Sequence, residues 1–258
     1  MARHFPYKHP TFGTKHRPKP ESAWKQSVYY WWWQYLKRNV DYIRTCERGG
    51  KGKCSKLYAD FGDVSGDDFK AWWSEGSRSV HCFAEPPTPT LQILEDGNIS
   101  EISSKGMLVL SVPLNIPLKH LAGEFRKIVS KRHPGKRGVR HSTLSQARYP
   151  VTGKVDLAFL EDALKVWDDR QADPNKPLWK IAQDLQIVPS KHWVRDDDTI
   201  KIAAAKKNVM AATASRLLRK ATAIIANVGN GRFPNSRQTK AGGSERDVQY
   251  SLGSKIVV

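Results

Sequence analysis

Two stretches of the chain repeat apolar residues at helical spacing, and the middle that separates them follows a different rhythm. The first, SVYYWWWQYLKRNVDYIRTCE, holds no Gly or Pro and predicts a helix capped by Ser27. Within it Trp32, Tyr35, Leu36, Asn39, Tyr42, Ile43 and Cys46 follow i, i+3, i+4, i+7 spacing. Such a stripe belongs to the core, and Trp31 or Trp33 is then expected at the surface or in an interface. The loop RGGKGK (Arg48 to Lys53) ends the helix. KLYADFGDV follows, and DDFKAWWSEG predicts a small helix with Phe69, Trp72 and Trp73 inside.

The second stretch lies near the C-terminus. VDLAFLEDALKVWDDRQ predicts a helix from Val155 to Gln171 with Leu157, Leu160, Leu164 and Trp167 inward. ADPNKP turns the chain into KPLWKIAQDLQI, where Pro177 suits a first helical position and Leu178, Ile181, Ala182 and Leu185 share a face. In VMAATASRLLRKATAIIANV the apolar row is Met210, Ala214, Leu217, Ala221, Ile224 and Val228. The opposite face offers Thr213, Arg216, Arg219 and Lys220, with Ser215 beside them. One apolar face and short polar plus cationic groups on the other is what a major-groove reader needs. A standard helix-turn-helix has a turn of about three or four residues, whereas IVPSKHWVRDDDTIKIAAAKKN stands between these halves. Either a loop is inserted in the turn, or the last helix starts near Thr199, behind the acids Asp196 to Asp198, and is long.

Between the two, PPTPT marks a linker, Asp96-Gly97 between apolar runs predicts a hairpin, and Met107 to Val112 predicts a strand. IPLKHLAGEFRKIVSKRH returns to helical spacing through Leu118, Leu121, Phe125, Ile128 and Val129. From Lys119 to Arg148 the chain is basic with Glu124 as its sole acid, and KRHPGKRGVRH is too rich in Gly and Pro for a regular element. The expected fold is mainly α with a small hairpin or sheet: a basic flexible arm (1–26), an aromatic helical domain (27–86), a sheet, helix and basic loop (87–150), a helical nucleic-acid-binding domain with a helix-turn-helix-like element (151–233), and a flexible tail (234–258).

Composition narrows the partner. Lys and Arg number 43 against 25 Asp and Glu, a net charge of +18 over 258 residues. That excess suits a polyanion, nucleic acid first and an anionic membrane surface second. No apolar run reaches membrane-spanning length and MARHFPYKHPTFG lacks a signal core, so no membrane partner and a cytoplasmic location are expected. Three cysteines provide no disulfide framework. Nine tryptophans within a 39% hydrophobic chain allow a real core.

The phrases IAQDLQI and ATASRLLRKA resemble the IA-x-x-L and SR-x-L-x-x-A wording of bacterial helix-turn-helix regulators and phage DNA-binding proteins. YYWWWQYLKRNVDYI, LYADFGDV and DDFKAWW are similar to segments of proteins encoded on bacterial prophages and mobile elements. The resemblance implies a transcriptional regulator or accessory factor of such an element.

Other chemistry fits poorly. Cys46, Cys54, His81 and Cys82 match no common zinc spacing. The acids Asp60, Asp63, Asp67, Asp68 and Asp196 to Asp198 stand where helix caps do, more often than where nuclease Mg²⁺ sites do. P-loop, nucleophile-elbow and dinucleotide signatures are missing from the sequence. The expectation is a non-enzymatic protein without metal or cofactor. It binds duplex DNA in preference to RNA, with Thr213, Ser215, Arg216, Arg219 and Lys220 at the groove and Lys131, Arg132, Lys136, Arg137 and Arg140 on phosphates. The aromatic unit is a candidate for self-association or for contact with a protein partner. The rivals are an RNA or single-strand binder that stacks bases on exposed Trp, a metal-dependent nuclease, and a protein whose charge meets an acidic protein.

Overall fold

The computed structural model describes residues 5–85, 108, 110–132, 145–151 and 153–237. Among them the chain is mainly helical, with no strand. The helices are α1 (Glu21–Trp24), α2 (Val28–Leu36), α3 (Val40–Glu47), α4 (Ser55–Phe61), α5 (Phe69–Ser74), α6 (Arg78–Phe83), α7 (Leu118–Arg132), α8 (Leu157–Ala172), α9 (Leu178–Asp184) and α10 (Ile200–Val228). The Asp96-Gly97 hairpin lies outside the described residues, and Leu108, Leu110, Ser111 and Val112 carry no regular structure.

The stretch expected to form one helix forms two. Ser27 caps α2 as expected, its hydroxyl accepting from the Tyr29 N–H. The break comes at Asn39, whose extended backbone and side-chain oxygen, accepting from the Tyr42 N–H at 2.9 Å, make it the cap of α3. Its amide also donates to the Ile225 carbonyl of α10 at 2.6 Å. One buried side chain thereby starts a helix and ties it to another one distant in sequence.

α2 is buried on every side. Trp31 is 6% exposed and Trp33 2%, which corrects the expectation that one of them faces outward. The cover comes from residues 5–26, read from sequence as a flexible arm. Phe5 packs on Trp73, Phe12 on Trp24 and Phe69, and Trp24 stacks on Phe69. The Trp31 indole donates to the Lys25 carbonyl and the Ser27 hydroxyl to that of Lys8. These aromatics sit among Lys and Pro without a period, so their charge was legible and their packing was not.

Trp32 is the hub. Its ring meets Phe61 of α4, Phe83 of α6, Tyr149 and Phe233 at centroid distances of 5.2–6.2 Å. Tyr35 O–H donates to the Leu160 carbonyl of α8 at 2.9 Å. The segments read as an aromatic domain and a helical domain therefore share one core. In α10 the residues Met210, Ala214, Leu217, Ala221, Ile224 and Val228 are all buried, as their spacing predicted. α8 buries Leu160 and Leu164, and α9 buries Ile181 and Ala182. α7 differs: its apolar row forms, but none of its residues is buried, and Leu118 is 81% exposed.

Asn39→Ala removes a cap and leaves the Ile225 carbonyl without its donor. The expected loss is about 2–3 kcal/mol, read from the urea midpoint. Because the core is shared, Trp fluorescence and far-UV circular dichroism are expected to report one coincident transition in wild type and variant. Two separated transitions would mean that the halves fold independently.

Candidate nucleic-acid interface

α10 carries Lys201, Lys206, Lys207, Arg216, Arg219 and Lys220 and not one acid along its length. Its start is built locally. Thr199 accepts from the Ile202 N–H, and Lys206 grips the Asp198 carboxylate at 2.6 and 2.8 Å. Asp198 also accepts from the Arg195 N–H at 2.8 Å. The Lys206 ammonium, first of these influences, holds the Asp198 carboxyl below its ordinary range.

Residues 185–199 answer the question left open by the sequence: they separate α9 from a long last helix that starts at Ile200. This connection is ordered. Gln186 takes φ 53° to close α9, and the Trp193 indole donates to the Val188 carbonyl. The Val194 N–H meets the Gln183 side chain at 3.0 Å. The pair α9–α10 thus packs with a brace between its members where a standard helix-turn-helix has a short turn.

The expected groove residues divide by what holds them. Arg216 and Arg219 are exposed and meet no acid among the described residues. Lys220 is exposed too, but its ammonium sits 5.6 Å from the centroid of the Phe159 ring. Thr213 turns its hydroxyl back onto the Val209 carbonyl at 3.0 Å, and Ser215 is half-buried. Lys131 and Arg132 are exposed at the end of α7, a helix with no residue in the core, so packing does not join them to the α10 face. Lys136, Arg137 and Arg140 lie outside the described residues.

Sequence reasoning missed Lys201 and Asn208, both exposed on the α10 face. The signal was available: no acid occurs between Asp198 and the end of the helix, so every polar residue on the open face is cationic or neutral. Arg148, the last cation of the basic stretch, is engaged within the fold. Arg148 pairs with the buried Asp60 carboxylate at 2.7 Å, beside the Tyr149 hydroxyl at 2.5 Å and the His81 imidazole at 3.4 Å. Lys37, Arg38 and Lys176 are likewise held by Asp67, Asp168, and Asp169 with Asp184.

The thiols are set up to pack. Burial pushes the Cys82 thiol up to about 12 and raises those of Cys46 and Cys54 as well. Cys54 and Cys82 each direct the sulfur at a backbone carbonyl 3.6 Å away. Among the described residues no group of three or more His, Cys, Asp or Glu is placed to hold a metal ion, and no helix is long and apolar enough to cross a membrane. No protein-family model matches the chain, and comparison with curated proteins and with solved structures finds no significant match.

The Asp198–Lys206 pair sets a pH dependence. A depressed folded-state pKa stabilises the start of α10 above the ordinary carboxylate range, and that contribution is lost as the pH falls through the lowered value. Acidification below about pH 4 should therefore fray α10 at its N-terminal end. Lys206→Met should move the Asp198 midpoint up toward about 3.9, followed by NMR of the carboxyl. An unchanged midpoint would show that Lys206 is not the cause.

Proposed function

We propose that this chain is a non-enzymatic nucleic-acid-binding protein that grips duplex DNA through the open face of α10. The observation that carries the reading is the unpaired, acid-free row of Lys201, Arg216 and Arg219 on that face. Elsewhere the fold pairs its buried and half-buried cations with carboxylates: Arg38 with Asp168, Lys176 with Asp169, Lys206 with Asp198. A row of guanidinium and ammonium groups without internal partners costs self-repulsion that phosphates offset. The resemblance to phage and regulator sequences supports a role as regulator or accessory factor of a mobile element, acting where its DNA is.

Duplex is favoured over single strands by the burial of the tryptophans. Trp31, Trp32, Trp33, Trp72 and Trp73 are all in the core, which encloses the aromatic cluster a single-strand binder would stack bases on, and Trp24, Trp167, Trp179 and Trp193 are half-buried. Burial raises the thiols, and no group of three or more His, Cys, Asp or Glu among the described residues is placed to hold a metal ion.

A gel-shift series over a range of salt tests the reading. Replacing both Arg216 and Arg219 by Ala should lower the slope of log K against log salt by about 1.8, roughly 0.9 for each phosphate that is no longer neutralised. Lys53→Ala, which removes a cation loosely paired with Asp41 on the aromatic half, should leave the slope unchanged. If the double variant keeps the wild-type slope, this face does not meet the DNA. If RNA or single-stranded DNA displaces the protein better than duplex does, the duplex reading fails.

A further inference from the structure

The first three turns of α10, Ile200–Val209, contain no buried residue, whereas from Met210 onward one side of the helix is sealed into the core. On the open side Lys201, Ala205, Asn208, Ala212, Arg216 and Arg219 follow i, i+4, i+7, i+11, i+15, i+18 and so share one face. Asn208 is the neutral polar residue near the middle of this row. At about 1.5 Å of rise per residue it stands about 10 Å from Lys201 and about 12 Å from Arg216 along the axis.

Asn208 has no structural employment in the fold. It is exposed, it bonds to no described residue, and it interrupts an alanine-rich run in which Asn is the poorer helix former. Its neighbour Val209, about 100° round the helix, is 44% exposed at the edge of this face. Ala205 and Ala212 are short, so the helix backbone can approach a partner closely at this point. Cations toward both ends, with an amide and a methyl-bearing side chain between them, suit a helix that lies along a major groove. Phosphates there flank the contacted bases, and the floor offers donors, acceptors and thymine methyls.

We propose that the N-terminal half of α10 enters the major groove and reads an A·T pair. The Asn208 amide pairs with N6 and N7 of adenine, and Val209 packs on the thymine methyl. Lys201 and Arg216, about 22 Å apart along the axis, hold phosphates on either side of the read pair, with Arg219 beyond. This inference rests on the duplex-DNA reading of the same face. It places sequence discrimination on Asn208, ahead of the groove residues Thr213 to Lys220 expected from the sequence. Asp196 and Asp197, exposed just ahead of α10, repel phosphate and limit the contact to Lys201 and beyond.

Binding selection from random duplexes, run in parallel on the full-length wild type, Asn208→Ala and the Arg216→Ala/Arg219→Ala double variant, tests it. Wild type should enrich a site with a fixed A·T pair. Asn208→Ala should lose that preference by about tenfold or more while keeping its affinity for random duplex, because the substitution favours the helix and touches no core residue. The double variant should bind every sequence more weakly and select the same site. Asn208→Ala selecting the wild-type site overturns the role of Asn208. Wild-type binding without base preference overturns the inference and leaves the duplex reading standing. No duplex binding by any of the three sinks both.

Discussion

The burial of α2 on every side is the constraint on which the other elements depend. A helix that is apolar all round has no solvent face to offer and must be enclosed by other parts of the chain. Four sources supply that enclosure here: the strap of residues 5–26, the short helices α4 to α6, the segment around Tyr149, and the C-terminal helices with Phe233. Each covers a different side, so removing one would expose aromatic area that the others cannot hide. Truncating a single ring of this kind typically costs about 3–5 kcal/mol. The arrangement is not free of cost, since the indole N–H groups of Trp24, Trp32 and Trp33 are buried without an acceptor. The ring area removed from water outweighs them.

That enclosure also organises charge. Asp60, Asp168, Asp169 and Asp198 are engaged by cations at the joints between elements, so carboxylates concentrate at junctions. Exposed cations outside such pairs are spread over several elements, Arg44, Lys56, Lys70 and Lys180 as well as those of α7, and α10 differs in carrying six cations and no acid.

Helical periodicity made α8, α9 and the buried row of α10 legible, because each has one apolar face and packs as its spacing says. It failed where that premise failed. α2 has no outer face, so the stripe through Trp32 could not assign Trp31 or Trp33. Asn39 sits on the stripe and reads as core; its role as a cap, followed by Asp41 in the first turn of α3, shows only once the backbone turns there. The strap was read by its charge because Phe5, Phe12 and Trp24 have no common period and gain meaning only from rings far along the chain. On α10 the face carrying Arg216 and Arg219 was legible. Lys201 and Asn208 were passed over because they precede the first buried residue, although the acid-free stretch after Asp198 and the helical period running back from Met210 place them on the same face.

The free end of α10 brings these strands together. An isolated helix of this length is marginal in water, and most helices depend on packing. Ile200–Val209 buries no residue fully, and the chain adds local support: the Thr199 cap, the Asp198–Lys206 bridge, three consecutive alanines, and the Lys207 ammonium over the Trp179 ring at 4.7 Å. None of these devices adds core, and their common effect is to keep an uncovered helix straight. A segment that stays helical before it meets a partner has less conformational freedom to lose on binding. The braced connection at residues 185–199 serves the same end from outside the helix. Local stabilisers gathered where tertiary contacts are missing make mechanical sense if the segment must remain both rigid and accessible.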